Sequence, residues 1–142
     1  MRVVCTAKKV DKRSPSWEDD DGMSAAQIIG KQGEDAATRL LQEKQYRIRE
    51  RNWSFGGYEV DIIAEDETYI IFVEVKSRTS LQWGNPEDFV GEKRMRRMVK
   101  AAHCYLIGKK IDKPARFDII GALWNGHAFE LNHIEDAFLP SW

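Results

Sequence analysis

Cysteine is scarce in this chain: there are 2 among 142 residues, Cys5 and Cys104. Two thiols in unrelated contexts form neither a disulfide framework nor a zinc-ligand pair, and they fit a reducing compartment. The histidines add nothing to that. His103, His127 and His133 show no zinc spacing, and each reads as structural or exposed. No apolar run approaches the roughly 18 residues of a membrane span. The opening MRVVCTAKKVDK has too short an apolar stretch for a signal peptide. The expectation is a cytoplasmic protein with no membrane association. An excess of one charge is also missing: 22 Lys and Arg stand against 23 Asp and Glu, for a net charge of −1. The sum alone does not advertise a polyanionic partner.

What is present argues for one folded domain. Hydrophobic residues make up 42% of the chain, with 5 Trp and 6 Phe, enough for a core and too much for a disordered segment. The charge is unevenly spread. Between residues 93 and 116 there are nine Lys or Arg and one Asp, a local charge of +8. Such asymmetry puts a basic face on a slightly acidic protein. Residues 1–22, with a basic stretch, Ser14, Pro15 and an acidic run, read as a poorly ordered tail. Residues 23–142 read as the domain.

Ser24 is positioned to cap a helix over residues 25–44. Gly30, Glu34, Ala37 and Leu41 fall on one stripe of it, so Glu34 lies on or beside the face the helix buries. Residues 46–53 alternate as a strand, with Arg47, Arg49 and Arg51 on one face as an exposed ladder or a phosphate-contacting row. Gly56 and Gly57 permit a turn. A second helix starts at about residue 87 or 91 and runs to 107, after the loop-like stretch 82–86. On it Lys93, Arg97, Lys100 and Cys104 share a stripe. Residues 115–124 read as a strand, and Asn125-Gly126 as a hairpin turn sending 127–131 back antiparallel. Asp118 within that strand could be a further acid, but it reads rather as a partner of Arg116 or a cap for a neighbour and is left outside the site. Residues 134–138 read as a short closing helix.

The centre of the chain is YEVDIIAEDETYIIFVEVKSR, residues 58–78: two apolar runs of period two around a polar break. Its ionisable residues are the informative part. Placing Glu67 and Thr68 in the turn pairs Asp66 with Tyr69, Asp61 with Glu74, and Glu59 with Lys76. Directly opposed side chains lie roughly 4.5–5.5 Å apart at Cβ. Two carboxylates that close repel unless something positive sits between them. A hard divalent cation such as Mg²⁺ suits an all-oxygen pair and leaves room for a phosphate. A strand-face cluster of salt bridges, balanced by arginines, accounts for the same residues without any function.

The aspartate followed some dozen residues later by Glu74-x-Lys76 resembles the PD-(D/E)xK nuclease superfamily. EVDIIA at 59–64, FVEVKSR at 72–78 and GKQGEDAATRLL at 30–41 more narrowly resemble the YraN family. That resemblance covers residues 23–138. It implies an α/β restriction-endonuclease-like core: a mixed central sheet with an antiparallel hairpin, flanked by helices. It also implies a site of Asp61, Glu74 and Lys76, joined by Glu34, with the three acids holding Mg²⁺ or Mn²⁺. Lys93, Arg97, Lys100 and Arg78 become candidates for contacting nucleic acid, DNA rather than RNA, through sequence-independent phosphate contacts. Nucleases of this fold often act as homodimers, although these residues reveal no interface. One departure stands out: Tyr58 occupies the position where the family has glycine. Besides a metal-dependent nuclease, a non-catalytic nucleic-acid-binding module and a protein-interaction domain remain open.

Overall fold

The computed structural model describes residues 2–6, 23–79 and 91–139. In chain order the elements are β1 (Arg2–Thr6), α1 (Ala25–Glu43), β2 (Arg47–Phe55), β3 (Tyr58–Glu65), β4 (Ile70–Arg78), α2 (Glu92–Gly108), β5 (Ala115–Trp124) and β6 (Phe129–Ile134). The strands form one six-stranded sheet in the order β1-β6-β5-β4-β3-β2. Only β4 and β5 run parallel, with α2 as their crossover; the other neighbours are antiparallel. A parallel pair needs such a crossover because no tight turn can reverse the chain twice.

α1 opens with a capping box. Ser24 Oγ accepts from Gln27 N–H and Gln27 Oε1 accepts from Ser24 N–H, satisfying two donors at the helix start. One face of the sheet buries Ala36, Ala37, Leu40 and Leu41 of α1 against Ile62, Ile71, Val73 and Ile120. The other buries Met98, Ala101, Ala102 and Tyr105 of α2 against Ile63, Phe72 and Phe117. Covering both faces explains why β4 reads as the continuous apolar run IIFV rather than as an alternation.

Turn chemistry sets the hairpins. Gly56 and Gly57, with φ of 57° and 83°, make the two-residue β2–β3 turn, in which both central residues need positive φ. Asp66 Oδ1 accepts from the Thr68 and Tyr69 N–H groups and closes the β3–β4 turn in the expected register. At 125–128 Asn125 Oδ1 accepts from the His127 and Ala128 N–H groups, so the loop is four residues long and β6 starts at Phe129 rather than at His127.

Three further expectations are corrected. Residues 2–6, taken as tail, form β1 on the edge of β6; residues 7–22 lie outside the described residues. Residues 134–138 are not helical. The chain turns at Asp136, which has φ 53°, and Phe138 stacks on Phe117 at 5.0 Å. α2 begins at Glu92 with Gly91 as its N-cap, in keeping with the later of the two expected starts, and the stretch 82–86 lies outside the described residues. The arginines of β2 do not share a face. A bulge between Ile48 and Glu50 and the positive φ of Asn52, 50°, break the alternation. Arg47 and Arg49 therefore pair with Glu65, while Arg51 reaches Asp35 on α1 at 2.9 Å.

Candidate active site

β3 and β4 stay together only from Glu65/Ile70 to Ile62/Val73. Beyond that point Tyr58, Glu59 and Val60 pair with β2 alone, and residues 74–78 pair with β5 alone. The fork has a local cause. Val60 packs into the core under α2, whereas Ile62 packs into the core under α1, so the alternation slips at Asp61. Asp61 Oδ2 then accepts from the Val75 N–H at 2.8 Å, and a carboxylate takes the place of the next backbone rung. Asp61 and Glu74, expected as directly opposed ladder partners, thus flank a gap instead.

That gap is a cavity of about 470 Å³ lined by Gly30, Glu34, Glu59, Asp61, Glu74, Val75, Lys76, Ser77 and Arg94. All four expected residues, Glu34, Asp61, Glu74 and Lys76, are in it. Glu34 arrives from α1 because that helix comes very close to β4. A Cβ added at Gly33 would collide with the Ser77 side chain and sit 3.3 Å from Ala122 Cβ. Arg94, which sequence reasoning missed, enters from α2 and grips both Glu74 carboxylate oxygens, the Nη2–Oε1 distance being 3.2 Å. The signal for it was there. Arg94, Met98, Ala101 and Tyr105 fall at i, i+4, i+7 and i+11, so a cation sits on the stripe that packs against the sheet.

Burial and the adjacent Glu74 carboxylate push the Asp61 carboxyl up to about 9, with Glu34 adding to the effect and the Val75 N–H opposing it. Burial also raises Glu34, partly offset by hydrogen bonding to Asp61 and Asn52 and by the charge of Arg51. The acids are therefore crowded, Glu74 is 5% exposed, and Arg94 supplies the counter-charge. Lys76 has no acidic partner among the described residues and lines the cavity. The four carboxyls lining the cavity, Glu34, Glu59, Asp61 and Glu74, without histidine or cysteine, are the donor chemistry of a hard divalent cation. Among the described residues no three His, Cys, Asp or Glu close on one point as a ready-made cage. Such acids could hold an ion through one or two carboxylates, its shell completed by water and phosphate, as Mg²⁺ is commonly held.

The expected phosphate-contacting residues are dispersed. Lys93 and Arg97 line a neighbouring cavity of about 680 Å³ with residues 54–59, Gly91 and Arg94. Arg97 is partly committed there: its Nη2 donates to Gly57 O at 2.6 Å and its guanidinium lies over Tyr58. Tyr58 thus ties α2 to the β2–β3 turn. Lys100 faces a third cavity with His103, Cys104 and Leu139. Arg78 ends β4 and does not line the acid cavity. Asp118 is paired away from the site, as expected. Burial alone would raise it, but hydrogen bonds from His133, Arg116 and the Asp136 N–H hold it below the usual range.

A mixed sheet covered on both faces, forked where strand carboxylates meet a helical glutamate, is the architecture of a restriction-endonuclease-like α/β core. The pattern of the uncharacterised protein family UPF0102 matches residues 33–122. Similar relatives include UPF0102 proteins of Flavobacterium psychrophilum, 44% identical over 78% of this chain and 92% of the relative, and of Phocaeicola vulgatus, 44% identical over 79% and 93%. The chain belongs to UPF0102, the YraN family. Among the described residues no helix is long and apolar enough to cross a membrane.

Proposed function

We propose that this protein is a metal-dependent nuclease that hydrolyses phosphodiester bonds, with DNA as the favoured substrate. The observation that carries this reading is the meeting of Glu34, Asp61, Glu74 and Lys76, from three elements, in one cavity. Asp61 and Glu74 would hold Mg²⁺ or Mn²⁺, with Glu34 as a further ligand directly or through water. When bound, such an ion polarises a phosphoryl oxygen and lowers the pKa of a coordinated water. Lys76, free of acidic partners among the described residues, orients the attacking water or meets the charge that develops on the phosphate. Val75 N–H holds the Asp61 carboxylate in place, and Arg94 offsets the crowded acids.

One observation favours a second reading. Arg94 already occupies both oxygens of Glu74, which is also what a nucleic-acid-binding module that had lost hydrolysis would show. The two are separated by incubating the protein with supercoiled, single-stranded and branched DNA, and with RNA, in Mg²⁺, Mn²⁺ or EDTA. Cleavage is expected with metal and absent in EDTA, and it should fall at least about 100-fold in Asp61→Ala and in Lys76→Ala. Cleavage persisting in both variants would mark a contaminant and overturn the proposal. Salt-sensitive binding without cleavage would establish the second reading.

A further inference from the structure

Beside the acid cavity lies the groove between the β2–β3 turn and the start of α2. The two share Glu59 and Arg94 as common walls. Phe55 stands on the groove with 61% of its surface exposed, an unusual place for a large apolar side chain on a tight turn. One side of its ring is backed by Trp53, stacked at 6.2 Å with an interplanar angle of 15°. Arg97 fixes the turn from below through Gly57 O and the Tyr58 ring. Lys93, exposed and without an acidic partner among the described residues, supplies positive charge to the same groove.

From this juxtaposition we infer that the groove binds an unpaired nucleotide, its base stacked on the open face of Phe55 and its phosphate on Lys93. The site then takes single strands, or duplexes with a frayed or overhanging end. The physical reason lies in what each form of nucleic acid offers. A base inside a duplex presents only its edges, because its faces are covered by neighbouring pairs. A flat ring with one side braced and one side open is matched by a base face, and a lysine nearby by the connecting phosphate. Stacking of this kind tolerates any base, so sequence selectivity is not expected.

The inference rests on the nucleic-acid reading of the acid cavity, but its test is separable. Binding of a short fluorescent single strand and of the matching blunt duplex is measured with Ca²⁺ in place of Mg²⁺, across a salt series. The single strand should bind more tightly. Phe55→Ala should weaken it about 5- to 100-fold, and Phe55→Leu should do the same because it keeps apolar bulk without a stacking face. Lys93→Ala should weaken binding and flatten the salt dependence by about one phosphate contact. Melting curves confirm that the variants fold. Wild-type affinity in both Phe55 variants, or equal affinity for the blunt duplex, would overturn the inference. Duplex cleavage indifferent to Phe55 would overturn it while leaving hydrolysis standing. Phe55-dependent binding with no cleavage under any metal would do the reverse.

Discussion

Asp61 and Glu65 lie four residues apart on β3 and are driven in opposite directions. Asp61 meets other acids and is pushed up; Glu65 meets Arg47, Arg49 and Lys113. Arg47 above all holds the Glu65 carboxyl down at about 2, against its burial, with Lys113 and Arg49 assisting. A carboxyl depressed in the folded state contributes stability above its unfolded value of 4.5, and that contribution is lost as the pH falls towards about 2. Glu65→Gln should therefore cost about 2 kcal/mol at neutral pH, less than a wholly buried pair because Arg47 is largely exposed. The cost should vanish near the acid end of that window. Urea midpoints at both ends measure it, and an equal deficit at each would contradict the ion-pair account. Spacing alone did not separate the two acids: both are ionisable residues of one hairpin, and the fold makes Glu65 the buried last residue of its strand, beside three cations.

At the scale of elements, the site depends on how closely α1 approaches β4. Gly33 has no Cβ to hold the helix away from Ser77 and Ala122, and the next residue is Glu34. Gly33→Ala should cost about 1–3 kcal/mol through overpacking, outweighing the gain in helix propensity. It should also reduce cleavage more than the lost stability explains, because Glu34 is moved away from Asp61. Thermal melting and cleavage measured on the same samples would test this; unchanged activity with lowered stability would show that the helix position is not critical. α1 itself was legible as periodicity and a cap. The slip at Asp61 and Asn52 was not, because two strands that each alternate do not announce where they will part.

For the whole molecule, the sheet order separates edge from site. β1 lies three strands from β4, across β6 and β5. A chain starting at Met23 should thus keep cleavage and single-strand binding while losing stability, since β6 would be left as an open edge with unpaired backbone groups. Activity assays and melting curves on the shortened chain test both halves, and lost cleavage at full stability would tie residues 1–22 to the site. The same scale governs charge. A net charge of −1 hides the basic start of α2, which the fold brings beside an acidic cavity.

Local pattern determined the helices, the hairpin register around Glu67-Thr68 and the family's acidic and basic residues, because periodicity, caps and turn residues act over a few positions. Tertiary packing alone decided that β3 and β4 would fork at Asp61, that Arg94 would neutralise Glu74, and that the basic stripe would divide among separate cavities. Each of these depends on which surfaces meet across the sheet. Burial and proximity between distant residues are set by the folded shape, and no window of neighbouring residues carries them.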